Sequence, residues 1–109
     1  MAWPHKVRIT VVKKTFNSDF VDAYTEGFKW EPKGCCHDFE IGQEFVSDGS
    51  HMPEGFSDPA WTDIQKYVLI LGRGGNMVGT KAGTFVTCCT DGFRPVFYRL
   101  DRIEEDDDS

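Results

Sequence analysis

The run from Asp58 to Gly72 limits the folds open to this chain of 109 residues more than any other feature. Asp58 is predicted as the N-cap of a helix, with Pro59 at the first helical position and Gly72 at the end. The apolar residues of the run recur at spacings of three and four, as in a helix with one buried side: Ala60, Trp61, Ile64, Tyr67, Val68 and Leu71. Such a helix has to pack against a second layer, so we expect it to dock on a sheet.

A two-residue alternation indicates the first strand, in which Val7, Ile9 and Val11 share one face. Three further β-rich runs follow at residues 44–47, 84–89 and 95–103. Asp91-Gly92 stands between the last two runs, and this dipeptide is a strong hairpin signal. The pattern predicts four strands, with a C-terminal β-hairpin.

A short helix is predicted between the first two strands. Asn17 or Ser18 can accept an N–H group at its start, and Phe20 and Tyr24 belong to its apolar stripe. The element order is therefore β-α-β-α-β-β. We expect an α+β fold in which two helices pack on one face of a small mixed β-sheet.

The charge of the chain is concentrated near its C-terminus. The net charge of the chain is −6, and five of its acidic residues form the run Glu104–Asp108. We predict a single domain over residues 1–103 and a disordered acidic tail over 104–109. Residues 34–65 contain acids but no Lys or Arg, which disfavours a nucleic-acid partner. No apolar run approaches the roughly 18 residues of a membrane span, so we expect no membrane partner either.

The first residues have neither the apolar core nor the cleavage site of a signal peptide. We therefore expect a cytoplasmic protein whose cysteines stay reduced. A small sheet with an exposed edge strand also favours a homo-oligomer.

The four cysteines form two adjacent pairs, Cys35-Cys36 and Cys88-Cys89, without C-x-x-C spacing. Strand alternation directs Cys88 and Cys89 to opposite faces unless the strand ends there. His37 follows Cys36 directly, and thiolates with imidazole are common ligands of zinc or iron. Cysteines and His37 are therefore candidate metal ligands, although a reduced cysteine is also an ordinary small buried residue.

Several segments together resemble a known family. They are KVRITVVKKTFN at 6–17, FEIGQEF at 39–45, MPEGF at 52–56 with Ala60-Trp61, GGN at 74–76 and CCTDGFRPV at 88–96. The family consists of small prokaryotic four-cysteine proteins with no assigned function, and the resemblance covers about residues 6 to 104. It implies family cysteines at Cys36, at the position after Phe56, and at Cys88 and Cys89.

This chain departs from the family pattern at one cysteine, because Ser57 follows Phe56. Cys35 in turn stands where the family often has proline. The resemblance therefore implies a four-thiolate centre only if Cys35 or a histidine replaces the missing thiolate. A mononuclear site with Cys36, Cys88 or Cys89 plus His37 would keep a position open for water or substrate.

Three hypotheses for the function remain open at this point. The first is a transition-metal site, with zinc or iron, that could also be catalytic. The second is a thiol redox protein in which Arg94 lowers the pKa of a cysteine, with Cys89 and Arg94 as catalytic candidates and Cys88 or Cys36 as partners. The third is a non-catalytic interaction module, such as a small subunit of a larger redox enzyme, that docks through Trp3, Trp30 and Phe93.

Overall fold

The computed structural model describes residues 3–30 and 39–104. It contains β1 (Val7–Lys14), α1 (Ser18–Tyr24), β2 (Glu44–Ser47), α2 (Asp58–Gly72), β3 (Thr84–Cys88) and β4 (Val96–Arg102). The predicted α+β class and the β-α-β-α-β-β order are confirmed. Apart from Glu104, the predicted acidic tail lies outside the described residues.

The four strands form one sheet in the order β2-β1-β4-β3, and each neighbouring pair is antiparallel. The sheet is therefore antiparallel throughout rather than mixed. Helix α1 connects β1 to β2, which are antiparallel neighbours, and α2 connects β2 to β3, which are not neighbours. Neither connection is therefore the βαβ crossover that usually makes a parallel pair. Strands β3 and β4 form the predicted C-terminal hairpin.

One face of the sheet carries the core. Strand β1 contributes Val7, Ile9 and Val11, which are fully buried as the alternation predicted. Strand β4 adds Val96, Tyr98 and Leu100, and α2 covers this face with Ala60, Ile64, Val68 and Leu71. The opposite face holds the residues between these positions in the strands, including Arg8, Arg99 and Val86.

Helix α2 is capped one residue earlier than predicted. The N-cap is Ser57, whose Oγ accepts the Ala60 N–H at 3.4 Å, and Asp58 is the first helical residue. The backbone of Ser57 is extended, as an N-cap requires, with φ −94° and ψ 127°. Neither helix in the described ranges is long and apolar enough to cross a membrane.

Helix α1 does not join α2 in covering the sheet, because none of its residues is buried. Its N-cap, Asn17, instead attaches it to the connection between β3 and β4. The Asn17 side chain donates to Gly92 O at 2.7 Å, and the Asn17 N–H donates to Phe93 O at 2.9 Å. The prediction of two helices on one face is therefore corrected to one.

Candidate functional site

The connection between β3 and β4, residues 89–95, contains most of the predicted site residues that the structure describes. Two other parts of the fold hold this 89–95 connection. Asp63 of α2 accepts the Thr90 N–H at 2.9 Å, and Asn17 binds the carbonyl groups of Gly92 and Phe93. Within the connection, Asp91 Oδ1 accepts the Phe93 N–H at 2.8 Å. The hairpin loop is thus fixed by α2, by Asn17 and by its own internal hydrogen bond.

Cys89 lies in the core at the start of this connection. Its side chain is 3 % exposed and belongs to the buried cluster that includes Phe39, Phe56 and Val96. The Val96 N–H points at the Cys89 Sγ with an N···S distance of 3.3 Å. The Cys89 sulfur therefore accepts a backbone hydrogen bond inside the core.

Cys88 is on the opposite face of the hairpin from Cys89. It pairs with Phe97, whereas Thr87, which shares the face of Cys89, pairs with Tyr98 of the core. Burial raises the pKa of the Cys88 thiol, and its electrostatic interactions with Cys89 and Asp63 raise this pKa further. Cys88 therefore stays protonated near neutral pH, which opposes a role as an activated nucleophile.

The described partners of Arg94 are a carboxylate and an aromatic ring. Its Nε is 3.4 Å from Asp91 Oδ2, and its guanidinium carbon is 4.5 Å from the centroid of the Trp30 ring. Trp30 in turn packs against Phe93, with ring centroids 5.0 Å apart. This cation–π contact and the ion pair hold the guanidinium on the Trp30 side of the connection.

The predicted metal ligands are only partly covered by the structure, because Cys36 and His37 lie outside the described residues. Within residues 3–30 and 39–104, no group of three or more His, Cys, Asp or Glu residues is arranged to hold a metal ion. His51, another histidine of the described ranges, has its Nδ1 3.0 Å from Asp48 Oδ2 on the exposed surface. The hydrogen bond from His51 holds the pKa of Asp48 below its ordinary value.

Ser57 has a structural role in this chain. Its side chain is fully buried beside Phe56, and its Oγ caps α2. A hydroxyl accepts an N–H better than a thiol does, so serine suits this position as a cap. The Ser57 side chain is therefore used as the cap of α2.

An aromatic groove borders the 89–95 connection on the side of α1. It has a volume of about 350 Å³ and is lined by Phe20, Tyr24, Gly92 and Phe93. Phe20 and Tyr24 are 47 % and 76 % exposed, although their spacing predicts a core-facing stripe.

Of the predicted docking aromatics, Trp3 is 67 % exposed, whereas Trp30 and Phe93 are half-buried against each other.

Two residues that organise the connection, Asp63 and Asn17, were not among the predicted site residues. Asn17 is the N-cap of α1 and Asp63 is a polar residue within α2, and sequence reasoning assigns such residues to capping or to solvent. Asp63 meets Thr90 across 27 positions of the chain, and Asn17 meets Gly92 across 75. No local pattern reports contacts over such separations.

The raised pKa of Cys88 makes a direct prediction. We expect its alkylation rate by iodoacetamide to have a pH midpoint above the value of about 8.5 for an unperturbed cysteine. The Asp63→Asn substitution keeps an oxygen acceptor for Thr90 but removes a charge, so it should shift this midpoint down. Mass spectrometry that resolves the modified cysteine measures both. A Cys88 midpoint below that of the unfolded chain would contradict the prediction.

The same shift has a consequence for stability. Because the folded state holds the Cys88 proton more tightly than the unfolded state does, this contribution to the free energy of unfolding is fully present below about pH 8.5. It is lost as the pH rises through the higher pKa of the folded protein.

Comparisons of the whole chain with family models, with curated proteins and with solved structures found no match. The geometry of the residues therefore carries the functional argument.

Proposed function

We propose that this protein binds one transition metal ion, zinc or iron, in a reducing cytoplasm, through Cys89 together with Cys36 and His37. The proposal is supported above all by the two described ends of the 31–38 segment: Trp30 packs on the 89–95 connection, and Phe39 belongs to the same buried cluster as Cys89. This segment contains Cys36 and His37.

The chain enters the segment at Trp30, whose ring lies on Phe93 and under Arg94. It leaves at Phe39, which is 5 % exposed and belongs to the same buried cluster as Cys89. Cys36 precedes Phe39 by three residues, a reach of about 10 Å at full extension. Covalent connectivity alone thus limits how far Cys36 and His37 can lie from this cluster.

The donor set fits a borderline metal ion. Two thiolates and an imidazole suit zinc or iron, and the Val96 N–H resembles the donors that commonly stabilise metal-bound sulfur. Cys88 is left out of the proposed set because it lies on the other face of the sheet. Three protein ligands leave a coordination position for water or a substrate, where the metal would act as a Lewis acid.

Elemental analysis of untagged protein purified without oxygen tests the proposal. We expect one zinc or iron per chain in the native protein and in Cys88→Ser, the matched thiol control. Cys36→Ser and Cys89→Ser should each lose the metal, and a chelator should lower the thermal stability of the native protein, because metal binding is coupled to folding. Circular dichroism shows whether the variants remain folded.

The absence of metal from the native protein would refute this proposal. The thiol redox and interaction-module hypotheses would then take its place, with Cys89 and Arg94 as the reactive pair of the former. Loss of metal from Cys88→Ser alone would instead show that the ligand assignment is wrong.

A further inference from the structure

Strand β3 forms one edge of the sheet, with β4 as its neighbour on one side. Two hydrogen bonds show which of its residues face β4. Cys89 N–H donates to Val96 O at 3.1 Å, and Arg102 N–H donates to Gly83 O at 2.8 Å. Because backbone groups alternate along an antiparallel strand, the odd-numbered residues face β4. Thr84, Val86 and Cys88 therefore direct their backbone groups away from the sheet.

These outward groups form a short hydrogen-bonding edge. The Thr84 N–H already donates to Lys81 O at 3.1 Å. The N–H groups of Val86 and Cys88 also point away from the sheet. The C=O groups of all three residues, Thr84, Val86 and Cys88, point in the same direction. Val86, at the middle of the strand, has a side chain that is 53 % exposed.

Within the part of the chain that the structure describes, strand β3 itself lacks two common protections against pairing, charge and proline. The five residues of β3, TFVTC, include no charge and no proline. The opposite edge strand, β2, is shorter and carries Glu44, which is 3.8 Å from Arg8. A charge on an edge strand disfavours self-association, so β3 is the edge better suited to a second strand.

We propose that β3 pairs with β3 of a second copy of this chain, antiparallel and about a two-fold axis at Val86. Val86 N–H then donates to the carbonyl of Val86 of the partner subunit, and the partner returns the same bond. Cys88 N–H donates to the carbonyl of Thr84 of the partner subunit, again in both directions. This register uses the outward N–H groups of Val86 and Cys88 and leaves the bond of Thr84 to Lys81 intact. The two sheets become one continuous sheet.

The side chains around this edge are compatible with the pairing. Val86 meets Val86 of the partner subunit on the outer face, as a β-branched cross-strand pair. On the helix face, Tyr67 packs on Phe85 with ring centroids 4.6 Å apart. Ile70, one turn further along α2 and 41 % exposed, lies beside Tyr67. Apolar side chains therefore flank the strand on both faces, and no like charges oppose each other.

Val86→Pro tests the pairing. Proline is tolerated on an edge strand where its missing N–H faced outward, so the monomer should keep its fold. Val46→Pro is the matched control, because Val46 is 49 % exposed in the middle of β2 and its neighbour Phe45 faces β1. We expect sedimentation equilibrium to show a dimer for the native protein and for Val46→Pro. Val86→Pro should raise the dissociation constant about a hundredfold, because each copy loses a central hydrogen bond.

A cross-link tests the register without proline. Positions 84 and 88 of one strand are about 13 Å apart, beyond the reach of a disulfide, so a bond between them joins two copies. Mild oxidation of Thr84→Cys should give a covalent dimer linked from position 84 to Cys88, whereas Glu44→Cys on the other edge should not. A monomeric native protein, an undiminished dimer in Val86→Pro or the absence of the 84–88 link would each overturn the proposal.

Discussion

Gly49→Ala is expected to destabilise the fold by about 3 to 5 kcal/mol. Gly49 has φ +93°, a conformation that is strained for alanine. A Cβ at Gly49 would also collide with the carbonyl oxygen of His5. The obstructing His5 oxygen belongs to the backbone and cannot rotate away as a side chain could. The His5 N–H is also hydrogen-bonded to Gly72 O at 2.7 Å, which holds this backbone in place. Urea unfolding followed by circular dichroism measures the loss.

Gly55→Ala is the control that separates the two causes. Gly55 has a similar φ of +83°, but a Cβ there would meet nothing within 4 Å. Its substitution should lose only the strain of the positive φ, about 1 to 2 kcal/mol. Equal losses for the two variants would mean that the close approach of Gly49 and His5 contributes nothing.

Arg102→Met should destabilise the fold by about 2 to 4 kcal/mol. The Arg102 side chain is only 6 % exposed. Its Nη1 donates to Gly75 O at 2.7 Å and to Leu71 O at 3.3 Å, and its Nη2 donates to Asn76 Oδ1 at 3.1 Å. It thus binds the C-terminal end of α2 and the following turn. Methionine fills similar space but leaves these acceptors without their donor.

Arg99→Met is the matched control for this prediction. Arg99 is also on β4 and pairs with Asp101 at 2.7 Å, but its side chain is 45 % exposed. We expect a loss below about 1 kcal/mol, as for exposed ion pairs in general. A loss as large as that of Arg102→Met would show that charge on β4, and not the bonds to α2, explains the effect.

The Arg102 prediction also has a pH signature. Arg102 Nε donates to Glu104 at 2.7 Å, and this hydrogen bond holds the pKa of Glu104 below its ordinary value. The bond between Arg102 and Glu104 therefore contributes fully to the free energy of unfolding above the ordinary glutamate pKa of about 4.3. This contribution is lost as the pH falls through the lower pKa that Glu104 has in the folded state. Removal of Arg102 should return Glu104 to its ordinary titration.

The parts of the fold that sequence reasoning predicted best are those with a strong period. Val7, Ile9 and Val11 alternate without interruption, and all three are buried. The error of one residue at the start of α2 arises because Ser57 and Asp58 are both good N-caps. Only the burial of Ser57 and its bond to Ala60 separate them.

Helix α1 shows where periodicity stops being informative. Phe20 and Tyr24 have the spacing of a core-facing stripe, yet they line an open groove. The period tells which side of a helix is apolar and not what covers that side. In the same way, β-rich runs predicted four strands, but the antiparallel order depends on the connections between them.

In the candidate site, too, local features could be predicted from the sequence and long-range contacts could not. Alternation predicted that Cys88 and Cys89 face apart, and the pairing of β3 with β4 agrees with it. The contact between Arg94 and Trp30 and the bond between Asp63 and Thr90 join distant parts of the chain. Such contacts depend on the tertiary fold, and a single sequence carries no local signal for them.

The central position of β1 and β4 in the sheet governs when this protein can fold during its synthesis. Val11 lies opposite Tyr98 in the ladder between β1 and β4, so this inner ladder joins strands that are far apart in the sequence. Closing so large a loop is entropically unfavourable before the inner ladder forms, which slows folding. A nascent chain that has not yet released residues 96–102 from the ribosome offers β1 only the short strand β2 as a partner. The apolar side chains of β1 then stay accessible to chaperones or to aggregation until residues 96–102 have left the ribosome.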